Sequence, residues 1–180
     1  MKRTRVLIVS CWLFIGMAVG LAAQESQKYQ TTEVIFTAPI EIPGRVLPAG
    51  KYLFTLLPGD PEHTMVQVWS GDRQHLLATL LTVPDYHLRA PSGSSTVRFD
   101  TNRYGQTDAL RAWFYPRDNY GHEFVYPEDR AKAIASRIGR PVLAMSNDLA
   151  SDITKPAQSS KEASVVALEK AKVEAINASG

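Results

Sequence analysis

Met65-Val66-Gln67-Val68-Trp69 and Gln74-His75-Leu76-Leu77-Ala78-Thr79-Leu80-Leu81 flank the tetrapeptide Ser70-Gly71-Asp72-Arg73. Two β-favouring runs separated by a short polar segment with Gly and Asp are the chemistry of a tight β-hairpin, because those residues adopt the turn conformations that strands cannot. From Leu76 to Leu81 the second run carries apolar residues on both faces, which predicts a strand covered on both sides.

Working outward, the same pattern recurs from Thr31 to Pro127. Thr32-Glu33-Val34-Ile35-Phe36 stops before Pro39, Ile40-Glu41-Ile42 stops at Pro43-Gly44, and Pro48-Ala49-Gly50 turns the chain into a run where Tyr52, Phe54 and Leu56 alternate with Leu53, Thr55 and Leu57. Proline cannot donate to a ladder, and a period of two places alternate residues on one face. Thr96-Val97-Arg98-Phe99, Leu110-Arg111-Ala112-Trp113-Phe114 and Phe124-Val125-Tyr126 complete the series. Seven or eight short strands predict a mainly β chain, a single antiparallel β-sandwich or partly closed barrel over residues 31–145. Near its end, Pro127, Glu128 and Asp129 open a short helix over 128–138, with Ala131, Ile134, Ala135 and Ile138 at helical spacing and Gly139 as its stop. Pro141 to Met145 then adds an extended piece. Residues 146–180 contain no aromatic side chain, which predicts a mobile or weakly helical tail, its best helix running from about Glu162 to Ile176.

The first residues differ in kind. Lys2, Arg3 and Arg5 precede 18 uncharged residues from Val6 to Ala23, ending in Gly20-Leu21-Ala22-Ala23-Gln24. A basic start, an apolar run and small residues before a polar stretch predict a signal peptide over 1–23, cleaved after Ala22 or Ala23, and a secreted or periplasmic protein. A membrane anchor is the alternative, and the run is slightly short for it. Cleavage before Cys11, the only Cys, would leave most of the apolar run attached; the processed chain therefore has no thiol and no disulfide. Of the 20 basic and 18 acidic groups in the whole chain, 17 and 18 remain after residue 23. That balance offers nothing to neutralise phosphates, which argues against nucleic acid as a partner, and no stable membrane span is expected after cleavage.

Ile42-Pro43-Gly44-Arg45-Val46-Leu47-Pro48-Ala49-Gly50-Lys51-Tyr52, Pro84-Asp85-Tyr86-His87-Leu88 and the block Trp113 to Pro127, WFYPRDNYGHEFVYP, together resemble a family of small secreted bacterial β-domain proteins of unknown function. The resemblance spans about Thr31 to Met145 and implies an exported β-domain without assigning a catalytic residue. Arg117 departs from it, standing where such sequences carry Gly.

Chemistry is sparse in the pattern. His63, His75 and His87 are spaced 12 residues apart and His122 is the fourth, a spacing that could bring rings together on neighbouring strands but matches no metal-binding motif. His122 and Glu123 are adjacent, so on a strand they face opposite ways. Serines 92, 94 and 95 lack a nucleophile elbow, and no phosphate-cradling loop is present. The densest feature is aromatic: Trp113, Phe114, Tyr115, Tyr120, Phe124 and Tyr126 lie within 14 residues. The residues favoured for binding are Trp113, Tyr115, Tyr120, His122 and Glu123; no catalytic residue, metal or cofactor is assigned. The leading expectation is a non-catalytic β-domain binding an unknown protein or carbohydrate, or serving a structural role. A small hydrolase or metal-dependent enzyme using His75, His87, His122 or Glu123 is one alternative. A carbohydrate-binding module built on exposed Trp113, Tyr115 and Tyr120 is the other.

Overall fold

A computed structural model of the chain describes residues 31–62, 64–89, 96–101, 105, 107–115 and 120–178. Residues 1–30, where the signal peptide is expected, His63, the Ser92 to Ser95 stretch and Arg117 lie outside them. The fold is mainly β. Strands β1 (Thr32–Phe36), β2 (Ile40–Ile42), β3 (Arg45–Leu47), β4 (Gly50–Leu56), β5 (Met65–Ser70), β6 (Leu76–Asp85), β7 (Val97–Asp100), β8 (Asp108–Trp113) and β9 (Gly121–Phe124) form one large sheet. Its path runs β1-β4-β5-β6-β9-β8-β2-β3, with β7 on the other edge of β8. A small second sheet contains β10 (Tyr126–Pro127), β11 (Val142–Met145) and β12 (Glu174–Ile176). Among the described residues the α-helices are α1 (Glu128–Ile138), α2 (Ala150–Ile153) and α3 (Ala163–Glu169).

Three expectations need correction. The large sheet is mixed, not purely antiparallel, because β2 pairs in parallel with β8, and β10 pairs in parallel with β11 in the small sheet. The described residues form twelve strands, more than seven or eight, and no closed barrel: the path ends at β1 and at β3. The segment after Ser146, expected to be mobile or weakly helical, does carry short helices, with α3 inside the expected 162–176 stretch, but it packs on the domain. It folds as a strap across the outer face of the β5–β6 hairpin, burying Ile153, Ala157, Val165 and Leu168.

The strap is held by a specific polar clasp. Gln67 Nε2 donates to the Ala157 carbonyl at 2.7 Å; Thr79 Oγ1 donates to the same oxygen at 3.1 Å and accepts from the Ala157 amide at 2.9 Å. Gln67 and Thr79 face one another across the two strands, so a buried amide and hydroxyl that would otherwise lose hydrogen bonds on folding are satisfied by one residue of the strap. This is also why the Leu76 to Leu81 run is apolar on both sides.

The hairpin itself closes as its sequence predicts. Arg73 N–H donates to the Ser70 carbonyl, and Asp72 Oδ1 accepts from both Ser70 Oγ and the Gln74 amide. Strand β6 continues past the expected end at Leu81, changing neighbour from β5 to β9 at Thr82. Thr82 N–H points toward β5, bonding Thr64, so Pro84, two residues on, has its missing N–H on the edge where β5 has already stopped.

Helix α1 begins after Pro127 with Glu128 and Asp129 in its first turn and ends at Gly139, whose φ of 70° suits the left-handed C-cap. It docks on β2 through the buried Glu41 carboxylate, which pairs with Arg130 and lies 3.7 Å from Arg137. The Tyr126 hydroxyl sits within hydrogen-bond distance of the Leu110 and Glu41 carbonyls, at 2.8 and 3.2 Å.

Candidate functional site

Strand β8 decides where the aromatic block goes. Phe99 pairs with Leu110 and Arg98 with Ala112, leaving Arg111 as an extra residue in a β-bulge. Strict alternation would put Leu110 and Trp113 on opposite faces. The bulge instead sends both into the main core, each fully buried, while Ala112 joins Leu88 and Phe114 in a second small cluster. Trp113 meets Phe54 at 6.3 Å between ring centroids, Tyr115 at 5.4 Å and His122 at 5.6 Å. A ring with 0% exposure offers no face to a sugar.

His122 is also fully buried, its ring between those of Trp113 and Tyr120. Glu123 points the other way, as adjacent strand residues must, and accepts from Arg111 Nε at 3.0 Å. The structure therefore brings Trp113, Tyr115, Tyr120 and His122 into one aromatic cluster and sets Glu123 apart from it. His75 precedes β6 and His87 follows it, and a strand of ten residues at about 3.3 Å each holds them roughly 30 Å apart. Among the described residues no three His, Cys, Asp or Glu side chains are grouped to hold a metal ion.

Two features escaped the sequence. Tyr86, in the turn after β6, is 65% exposed and its ring contacts that of Tyr120 at 4.7 Å, tilted by 44°. Its signal was present in Asp85, whose side chain accepts from the His87 amide at 2.9 Å and fixes the turn. The second feature is a groove of about 480 Å³ between the end of β6 and α3. Leu81, Val83, Pro84, Leu168, Ala171 and Val173 make its apolar lining, with Glu62, Glu169, Thr64 and Ser160 also lining it. No local motif could reveal it, because its two walls are separated by about 80 residues of chain.

No described helix is long and apolar enough to cross a membrane. No family model, curated protein or solved structure matches the chain.

Proposed function

We propose that the chain is an exported, non-catalytic β-module whose role is binding, and that the groove between β6 and α3 takes a small apolar or amphiphilic molecule. The groove carries this reading: its volume lies within the range of small-molecule sites, roughly 300–1,000 Å³, and its lining is mainly aliphatic with polar groups beside it. Glu62 and Glu169 favour a ligand whose polar end is cationic or a hydrogen-bond donor. Lys2 to Ala23 and the resemblance over Thr31 to Met145 support export. The sheet folds over as a sandwich in this proposal, supported by Phe36 meeting Phe99 and Phe54 meeting Trp113 across it, at 6.0 and 6.3 Å.

The alternatives have less behind them. An enzyme built on the histidines would need rings that converge, and a sugar platform on Trp113 would need an exposed face. Titration with Nile red, a neutral apolar fluorophore, tests the groove. Saturable binding by the wild type is expected, with loss in Ala171→Trp, which fills the groove, at an unchanged urea midpoint. Absence of saturable binding, or equal binding by the variant, would overturn the proposal.

A further inference from the structure

The Tyr86 and Tyr120 rings are held together from both sides. On the Tyr86 side, Asp85 locks the turn, and Leu88, two residues on, is buried against Ala112 and Phe114. On the Tyr120 side, Gly121 lies so close to this cluster that an added Cβ would meet Leu88 Cδ2 at 2.9 Å and Phe114 at 3.1 Å. The contact between β9 and the turn thus exists because residue 121 has no side chain. Ring centroids 4.7 Å apart are at the short end of the range for aromatic pairs. Tyr86 is open to solvent-borne reagents.

We propose that this pair is an oxidative cross-linking site, at which a haem peroxidase using hydrogen peroxide joins Tyr86 to Tyr120 as an intrachain dityrosine. Each phenol gives up one electron and one proton. The two phenoxyl radicals couple through ring carbons ortho to their oxygens, and the hydrogens on those carbons move to the oxygens, restoring both phenols. Hydrogen peroxide accepts the two electrons and two protons through the peroxidase and leaves as two waters. Among the described residues the other tyrosines are placed differently. Tyr52 is buried beside Phe36 with its hydroxyl donating to the Pro48 carbonyl, Tyr126 is buried under α1, and Tyr115 contacts Trp113. A chain whose only Cys lies in its leader would gain through this bond the covalent brace that disulfides supply elsewhere.

The test treats the purified chain with a haem peroxidase and hydrogen peroxide at low protein concentration. The expected product is a monomer lighter by two hydrogen atoms, with dityrosine fluorescence and a proteolytic fragment joining the peptides of Tyr86 and Tyr120. Tyr86→Phe should lower the fluorescence to that of the Tyr86→Phe, Tyr120→Phe double variant, whereas Tyr115→Phe should retain it. A monomer without that fragment, coupling only between chains, or undiminished fluorescence in Tyr86→Phe would overturn the assignment.

Discussion

Trp113 and Tyr126 show how single residues carry this fold. Trp113 is fully buried against Phe54, Tyr115 and His122, so Trp113→Ala is expected to cost about 3–5 kcal/mol, as large core deletions do. Urea denaturation reads this directly, and a loss below about 1 kcal/mol would mark a surface role. Tyr126 is held well above a phenol's ordinary value by burial first and by the Glu41 carboxylate second. The folded state therefore retains a proton that the unfolded chain releases. Its stabilisation is complete below the unfolded value of about 10 and declines as pH rises from there toward the raised folded value. Urea midpoints measured on either side of pH 10 should fall with pH in the wild type and fall less in Tyr126→Phe. The burial of Trp113, Phe114, Phe124 and Tyr126 could be read from the density of the block, since six rings in one short segment are hard to leave in water, and Tyr115 and Tyr120 are half-buried. That Leu110 would share a face with Trp113 could not, because a bulge at Arg111 depends on its partner strand β7 and leaves no mark in the β8 sequence.

At the scale of elements, the β5–β6 hairpin and α1 were legible because each carries its own boundary chemistry: Gly71 and Asp72 in one, Pro127, Glu128 and Gly139 in the other. Asp72 is held below the usual carboxylate range by the Ser70 hydroxyl first and the Gln74 amide next. Its contribution is therefore present above the unfolded carboxylate value and lost as pH falls through the lower folded one. Asp72→Ala should be less stable than the wild type near neutrality, with the difference shrinking below about pH 4; parallel curves in an acid titration would contradict this. Gly71 is constrained from outside the turn, since an added Cβ would lie 2.7 Å from the Lys51 carbonyl oxygen. Gly71→Ala should lower the urea midpoint without altering the slope. The packing of the strap leaves little mark in its own sequence because α3 has only seven residues. A helix that short is marginal alone and forms here because Val165 and Leu168 are buried.

For the whole molecule, the strap turns a hairpin with one face in solvent into a covered layer, and it supplies one wall of the groove. Deleting residues 147–180 uncovers Gln67 and Thr79 and the apolar contacts of Ile153, Val165 and Leu168. Burial of a large aliphatic side chain is worth about 1.5–3 kcal/mol, so three such losses approach the total stability of an ordinary domain. The truncated chain is expected to bind the hydrophobic dye anilinonaphthalene sulfonate and to lose its cooperative urea transition. Retention of both the wild-type midpoint and cooperativity would show that the strap is dispensable. Sequence composition pointed the other way because it counts apolar residues within a segment and is blind to a surface prepared elsewhere in the chain.

The parallel pairing of β2 with β8 also sets a timetable. Ile40 and Glu41 lie beside Asp108 and Ala109, and Gly44 is packed against Thr154, so strands made early wait for partners made late. Closing such long loops is entropically costly before any contact rewards it, and topologies of this kind fold in milliseconds to seconds. The β5–β6 hairpin, whose partners are adjacent in sequence, can form first and leave the β2–β3 arm unanchored until β8 and the strap arrive. Substitutions in the hairpin turn should therefore slow refolding, whereas Glu41→Gln should act mainly by speeding unfolding; stopped-flow chevrons of the two sets of variants would separate the limbs.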